Sequence, residues 1–275
     1  MICFIYFNLK QLNHSILRMS FIIKDTKKAA KFTAIIQHLK QFTSNILLNL
    51  RPTGLYIQCL DDSHCCLFEC DLKKEWFEEY TFASSKTIGI NLGIFHKVLN
   101  ARQESQSIEL SLDETKNIDN VDINFINGTG GHFNKYFELS LVNVEVDLMD
   151  VKESETLVDL TIDTKTFCEM INQFMIFDDL LTIAFTEENI ALTASGTDGK
   201  MRIEINLDDV KEYATAASLK QSYSLRYISM MCHFNKLATD LYMGFSDSMP
   251  MLMKYALGEN SYAYFHLAPK IPDDE

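Results

Sequence analysis

Hydrophobic and polar residues alternate along most of this chain, and in places the alternation gives way to a helical rhythm. Runs such as "NILLNL", "LYIQCL", "CCLFECDL", "SIELSL" and "VDINFI" predict antiparallel strands in the first half. "LLTIAF", "IALTAS", "MRIEINL", "LYMGFS" and "MLMKYAL" predict the same in the second. The clearest turns are "RPTG" at 51–54 and "TDG" at 197–199, where proline and glycine supply the angles of a tight reversal. "SFIIK" and "LVDLTID" are short strands that each lead into a helix.

The two halves share a register. "KFTAIIQHL" (31–39) lies 135 residues before "TFCEMINQF" (166–174). "GLYIQCLDDS" (54–63) stands at the same offset from "NIALTASGTD" (189–198), and "IGINLGIFHKVL" (88–99) from "YSLRYISMMCHF" (223–234). Identity within each pair is low, but three matches at one offset indicate two structurally equivalent halves. The expected fold class is α+β, each half carrying two helices packed on antiparallel sheets. Residues 19–140 form the first domain, 141–155 a connecting loop that turns acidic, and 156–275 the second domain with an acidic tail. The opening "MICFIYF" is apolar but lacks the basic start of a secretory signal, and a membrane span needs ~20 apolar residues. Residues 1–18 are therefore expected to be an extension outside the fold, with Met19 opening the first domain.

Charge changes the picture of what such a body could bind. A net charge of −13 over 275 residues counts against a nucleic-acid partner, because phosphate contacts need lysine and arginine. The distribution overturns that inference. Four helical windows (24–42, 91–103, 164–176 and 223–236) hold ten basic residues: Lys24, Lys27, Lys28, Lys31, Lys40, Lys97, Arg102, Lys165, Arg226 and Lys236. They hold two acids, Asp25 and Glu169, so the remainder of the chain is more acidic than the total suggests. Basic helices on an acidic body focus a polyanion onto one surface and repel it elsewhere, the pattern of backbone gripping without base readout.

Candidate chemistry is concentrated in "LDDSHCCLFEC" (60–70), one histidine and three of the seven cysteines. Neighbouring Cys65 and Cys66 point to opposite faces of a strand, while Cys66 and Cys70 share a face but lie ~13 Å apart, too far for one metal. Free thiols in a reducing compartment, packing as small hydrophobes, are the expected state. The chain has no Cys-x-x-Cys pair, no nucleophile–base arrangement and no phosphate-binding glycine loop. No catalytic residue, metal or cofactor is expected, and a Cys/His metal-dependent enzyme is the less favoured alternative.

"LYIQCLDDSH" (55–64), "IGINLGIFHKVL" (88–99), "LTASG" (192–196), "YSLRYIS" (223–229) and the ending "YFHLAPKIPDDE" (264–275) occur in an order and spacing that resemble one family. Over residues 19–275 the chain is similar to the proliferating cell nuclear antigen family, the ring-shaped DNA sliding clamps of eukaryotes, archaea and some large DNA viruses. The resemblance implies two sliding-clamp domains per subunit and a six-domain ring made by a head-to-tail homotrimer. Helices would line the hole, and edge strands at Lys135 to Leu141 and Lys200 to Leu207 would join subunits. It implies a processivity factor that encircles duplex DNA, is placed there by a clamp loader, and tethers DNA polymerase and other replication and repair proteins. The location implied is the nucleus, or a cytoplasmic replication site if the source is viral. A paralogue acting as a monomer, or in a heteromeric ring for damage signalling, is the competing reading within the family.

The resemblance also assigns residues. Lys40, Lys97 and Arg226 match basic helix positions that face DNA, with Lys27, Lys28, Lys31, Arg102 and Lys236 as basic neighbours and His233 where the fourth helix usually has lysine. Leu60, His64, Met149, Val151, Pro250, Ala268 and Pro269 match the walls of a groove that takes a partner peptide bearing a glutamine and hydrophobic anchors. The chain departs from the family at Glu169 and Asn172, where arginines are usual, and at His266, where an aromatic is expected. The connecting loop "VDLMDVKES" lacks the usual leucine-glycine-isoleucine-proline pattern, and Glu187 stands where relatives carry a modifiable lysine.

Overall fold

A computed structural model describes residues 18–113, 119–128, 133–145, 148–151 and 155–270. Residues 1–17 of the expected extension and the acidic end at 271–275 lie outside the described residues, and Arg18 already belongs to the first strand.

The chain divides into two units, the first built from the described parts of 1–40, 44–57 and 71–145. It begins with β1 (Arg18–Ile23) and α1 (Thr26–Leu39). The helix starts where it does because the Asp25 carboxylate accepts the Lys28 N–H at 2.8 Å, satisfying one of the orphan donors of the first turn. There follow β2 (Asn45–Arg51), β3 (Gly54–Leu60), β4 (Cys66–Lys73), β5 (Glu79–Tyr80), β6 (Lys86–Asn91), α2 (Leu92–Asn100), β7 (Gln106–Asp113), β8 (Asn120–Asn127) and β9 (Lys135–Ser140). The strands are ordered β5-β1-β7-β8-β9 and β4-β3-β2-β6. Gly54, in the "RPTG" turn, has φ +143°, and a Cβ there would stand 2.0 Å from the Leu72 carbonyl oxygen, so only glycine closes this hairpin.

The second unit takes 41–43, 58–70 and the described parts of 146–275, so the end of β3, the start of β4 and the turn between them count with it. Its own elements are β10 (Val158–Asp163), α3 (Thr164–Phe174), β11 (Leu180–Phe185), β12 (Ile190–Gly196), β13 (Gly199–Ile205), β14 (Glu212–Thr215), β15 (Leu219–Ser224), α4 (Leu225–Cys232), β16 (Asp240–Phe245), β17 (Met251–Gly258) and β18 (Ser261–Leu267). Strand orders β14-β10-β16-β17-β18 and β13-β12-β11-β15 reproduce those of the first unit position for position. The repeat in sequence is thus a repeat of topology.

The 135-residue offset holds where the first helix of each half gives way to the next strand and slips on both sides. The caps Asn91 and Ser224 of the later helix pair are 133 apart, so the match of 88–99 with 223–234 is out of register by two residues. Helices α1 and α3 end at Leu39 and Phe174, and β2 and β11 begin at Asn45 and Leu180, each pair 135 apart. At the helix starts the caps Asp25 and Asp163 are further apart, because α1 has 14 residues and α3 has 11. Core-facing segments must keep their spacing to bury the same stripe, whereas connections on the surface tolerate insertion. Two strand–helix boundaries differ from the helical windows 91–103 and 223–236. Ile88–Asn91 finish β6, with Asn91 capping a helix that starts only at Leu92, and Tyr223 and Ser224 finish β15 before α4 starts at Leu225. The run at each boundary serves a strand and a helix in succession, which periodicity over so short a window does not separate.

Each helix buries one stripe. In the first unit α1 buries Ala29, Phe32, Ile35, Ile36 and Leu39, with Phe32 edge-on to Phe21 and Phe95 at 5.9 and 6.1 Å. In the second, α3 buries Phe167, Cys168, Ile171 and Phe174, and α4 buries Leu225, Ile228, Met231 and Cys232. Phe68, Phe234 and Phe265 form an aromatic cluster with centroids 4.9–5.6 Å apart, within the range where offset and edge contacts are favourable.

Candidate nucleic-acid interface and partner groove

The solvent sides of α1 and α2 carry the basic residues expected there. Lys27, Lys40 and Lys97 are exposed and Lys31 is half-buried, burial holding its ammonium pKa below the ordinary value. Lys40 Nζ donates to His96 Nδ1 at 2.8 Å. Burial, and then the neighbouring Lys40 charge, lower the His96 pKa, so the ring stays a neutral acceptor that steadies the lysine. Lys28 and Arg102 are used differently. Lys28 Nζ donates to the Trp76 carbonyl at 2.7 Å and lies 3.8 Å from Glu78. Arg102 gathers the backbone carbonyls of Gln103, Glu104 and Gln106 at 3.1, 3.0 and 2.8 Å, closing the loop after α2. Both brace the first unit.

In the second unit Arg226, His233 and Lys236 are exposed, and His233 Nδ1 lies 3.0 Å from Gln41 Oε1. The exposed side of α3 is nearly neutral: Lys165 faces Glu169 at 3.8 Å one turn on, and Asn172 is exposed.

The second unit also holds a groove of about 710 Å³. Leu60, His64, Met149, Val151, Pro250 and Ala268 line it, six of the seven expected walls, while Pro269 is not among its lining residues. The connecting loop reaches it through a reciprocal pair: Met149 N–H donates to Gln58 Oε1 at 2.7 Å, and Gln58 Nε2 donates to the Met149 carbonyl at 3.0 Å. Gln58 was not singled out from sequence. Its only signal is a polar side chain on an otherwise apolar strand, buried to 7% exposure. The groove is less apolar than the expected walls suggest. Glu69 Oε2 and His266 Nε2 meet at 2.8 Å along one side. Lys254 Nζ sits 3.9 Å from the Tyr262 ring centroid and 5.7 Å from that of Tyr264, a cation–π position. At another side Tyr242 and Thr156 hydroxyls both donate to Asp159 Oδ1, at 2.5 and 2.8 Å. Burial, then the Asp159 carboxylate, push the Tyr242 phenol up to about 12, so it remains a donor.

His64 reaches the groove from a strained turn with φ 56°, and Asp61 holds that turn. The Asp61 carboxylate accepts the N–H groups of Ser63, Cys65 and Cys66 at 2.9, 2.7 and 2.6 Å and the Tyr227 hydroxyl at 2.6 Å. Burial acts to raise its pKa, but the Tyr227 bond and the three backbone bonds together hold it below the ordinary carboxylate value. Cys66 and Cys70 are buried and Cys65 is half-buried. Burial pushes the Cys66 thiol far up and the Cys59 thiol up to about 12, so both stay protonated and unreactive.

Residues 23–151 match the N-terminal domain of proliferating cell nuclear antigen, and residues 150–270 match its C-terminal domain. The chain belongs to the proliferating cell nuclear antigen family. It is a DNA sliding clamp of replication, a scaffold rather than an enzyme. Among relatives, it is 24% identical to the proliferating cell nuclear antigen of Chaetomium thermophilum over 256 residues, covering 90% of this chain and 98% of that one. It is 23% identical to proliferating cell nuclear antigen 2 of Drosophila melanogaster over 243 residues, 88% and 94% of the two chains. The crystal structure of the Entamoeba histolytica clamp has the same fold, with a TM-score of 0.82 at 23% identity, covering 92% of this chain and 99% of that one. At such identities the family's fold is kept while individual surface residues are free to differ.

Proposed function

We propose that three copies of this chain close into a ring around duplex DNA. The basic residues of its helices would face the phosphates, and its groove would hold the peptide motif of DNA polymerase and other replication and repair proteins. A clamp loader would open and place the ring, in the nucleus or at a viral replication site. Domains at 19–140 and 156–275, joined by the 141–155 loop, would give the ring its six parts.

The observation that carries this reading is the groove: residues from 60 to 268 of the sequence meet in one surface hollow of the second unit, with no catalytic arrangement among its described lining residues. Two further features support it. Strands β9 and β13 each end a sheet, with one strand neighbour apiece, and Tyr136 on β9 is 70% exposed. Such edges suit head-to-tail pairing between copies. The DNA-facing set would be led by Lys40, Lys97 and Arg226, with Lys27, Lys31, Lys236 and His233 beside them. Lys28 and Arg102, engaged with backbone carbonyls of the first unit, would contribute mainly to the field.

Replacing Lys40, Lys97 and Arg226 together by alanine is expected to abolish clamp-dependent synthesis of long products on primed circular DNA. Unchanged synthesis would refute the DNA-facing assignment. Sizing in solution should return near three times 31.6 kDa, and a monomer at micromolar concentration would sink the ring and favour the paralogue reading.

A further inference from the structure

The side of the groove formed by Glu69 and His266 is half-buried, with side-chain exposures of 14% and 18%, and it is polar. An ionised carboxylate only accepts hydrogen bonds, so the 2.8 Å contact requires the proton on His266 Nε2. In the neutral ring that leaves Nδ1 as an acceptor, and among the described residues it has no protein partner. The groove's other charges do not supply a donor to it: Lys254 lies over the Tyr262 and Tyr264 rings, and Asp150 adds a second carboxylate to the lining. In that tautomer the Glu69 carboxylate and His266 Nδ1 both present acceptors along this side of the groove.

We infer that His266, oriented by Glu69, sets the groove's preference for a partner peptide whose aromatic anchor carries a hydrogen-bond donor, namely tyrosine in place of phenylalanine. A phenylalanine ring seated there removes water from Nδ1 and returns nothing, whereas a phenol O–H replaces the lost water bond. The discrimination expected of one such bond in a largely apolar pocket is about tenfold in affinity. Glu69 is a positioning residue in this scheme, since it selects the tautomer and need not touch the peptide.

The inference rests on the groove being the partner-peptide site, and the test separates the two. Fluorescent synthetic peptides with one glutamine and two aromatic anchors would be compared by anisotropy, the anchors being both tyrosine, both phenylalanine or both 4-fluorophenylalanine. The fluorinated ring fills the phenol's place without donating. On the wild-type protein the tyrosine peptide is expected to bind about tenfold more tightly than the other two. On His266→Phe the preference should vanish, and on Glu69→Gln it should shrink, with thermal melting confirming that each variant is folded. Equal binding of the tyrosine and fluorinated peptides would show that size alone matters and overturn the inference. So would a wild-type preference for phenylalanine, or a tyrosine preference that persists in His266→Phe, in each case leaving the groove reading intact. Failure of all three peptides to bind would overturn the groove reading and the inference with it.

Discussion

The two helix pairs of this clamp have the same scaffold and different surfaces. Helices α1 and α2 bury an apolar stripe and show solvent Lys27, Lys31, Lys40 and Lys97, with an acidic residue only at the Asp25 cap. Helices α3 and α4 bury an equivalent stripe, yet their solvent sides offer Arg226, with His233 and Lys236 just beyond, beside the Lys165–Glu169 pair. The buried stripe is constrained by packing, where the change of one methylene is felt. The exposed side is constrained only by what it meets, so it is where two copies of one unit can divide labour. The hairpins diverge in the same way. Between β3 and β4 the chain makes a five-residue connection organised by Asp61, while β12 and β13 are joined through Thr197 and Asp198 alone. The first connection supplies two walls of a groove, and its counterpart supplies none of that groove's lining.

The two helix pairs should differ most in how they hold DNA. Neutralising Lys27, Lys31, Lys40 and Lys97 together should weaken DNA retention on the order of a thousandfold at moderate salt. Neutralising Arg226 and Lys236 should weaken it on the order of tenfold. The slope of log affinity against log salt should flatten by roughly 0.9 for each phosphate that the protein no longer neutralises. Equal losses from the two sets would show that both helix pairs carry DNA alike.

The hairpins give the next largest contrast. Asp61→Ala removes a buried acceptor of four hydrogen bonds and should cost about 3 kcal/mol in urea unfolding. Asp198→Ala, at an exposed turn, should stay within about 0.5 kcal/mol. A similar loss at both would mean that the Asp61 network is not what holds the first connection.

The smallest effect lies in acid. Asp61 has a folded-state pKa below that of the unfolded chain, so its contribution is complete above the unfolded carboxylate value of about 3.9 and disappears as pH falls through the folded value. The stability gap between wild type and Asp61→Asn should therefore be flat from pH 7 to about 5 and narrow below about 4. A gap that widened in acid would contradict the assignment of the depressed pKa to this network.

Much of the fold was legible because it rests on periodicity. Alternation marked the strands, the 135-residue offset marked the repeat, and the helical rhythm marked all four helices, misplacing the strand–helix boundaries near Asn91 and Ser224. The basic residues of α1 and α2 were legible too, since a lysine off the buried stripe has few places to go but solvent. What each cation does was not. Lys28 and Arg102 look like Lys40 in sequence, yet one bonds the Trp76 carbonyl and the other three carbonyls of its own loop. The groove was legible only as a set of walls carried over from a family.

Taken alone, the sequence determined a duplicated α+β chain, with thiols that pack as hydrophobes and helical windows richer in basic than in acidic residues. These are properties of local period and composition, and they survive without any knowledge of what touches what. Tertiary structure decided the chemistry of the surfaces. Gln58 meets Met149, Asp61 meets Tyr227 and Glu69 meets His266 across 91, 166 and 197 residues of chain. A hydrogen bond between such partners depends on where two distant strands or helices are set by the packing of the core, and no local pattern encodes that distance.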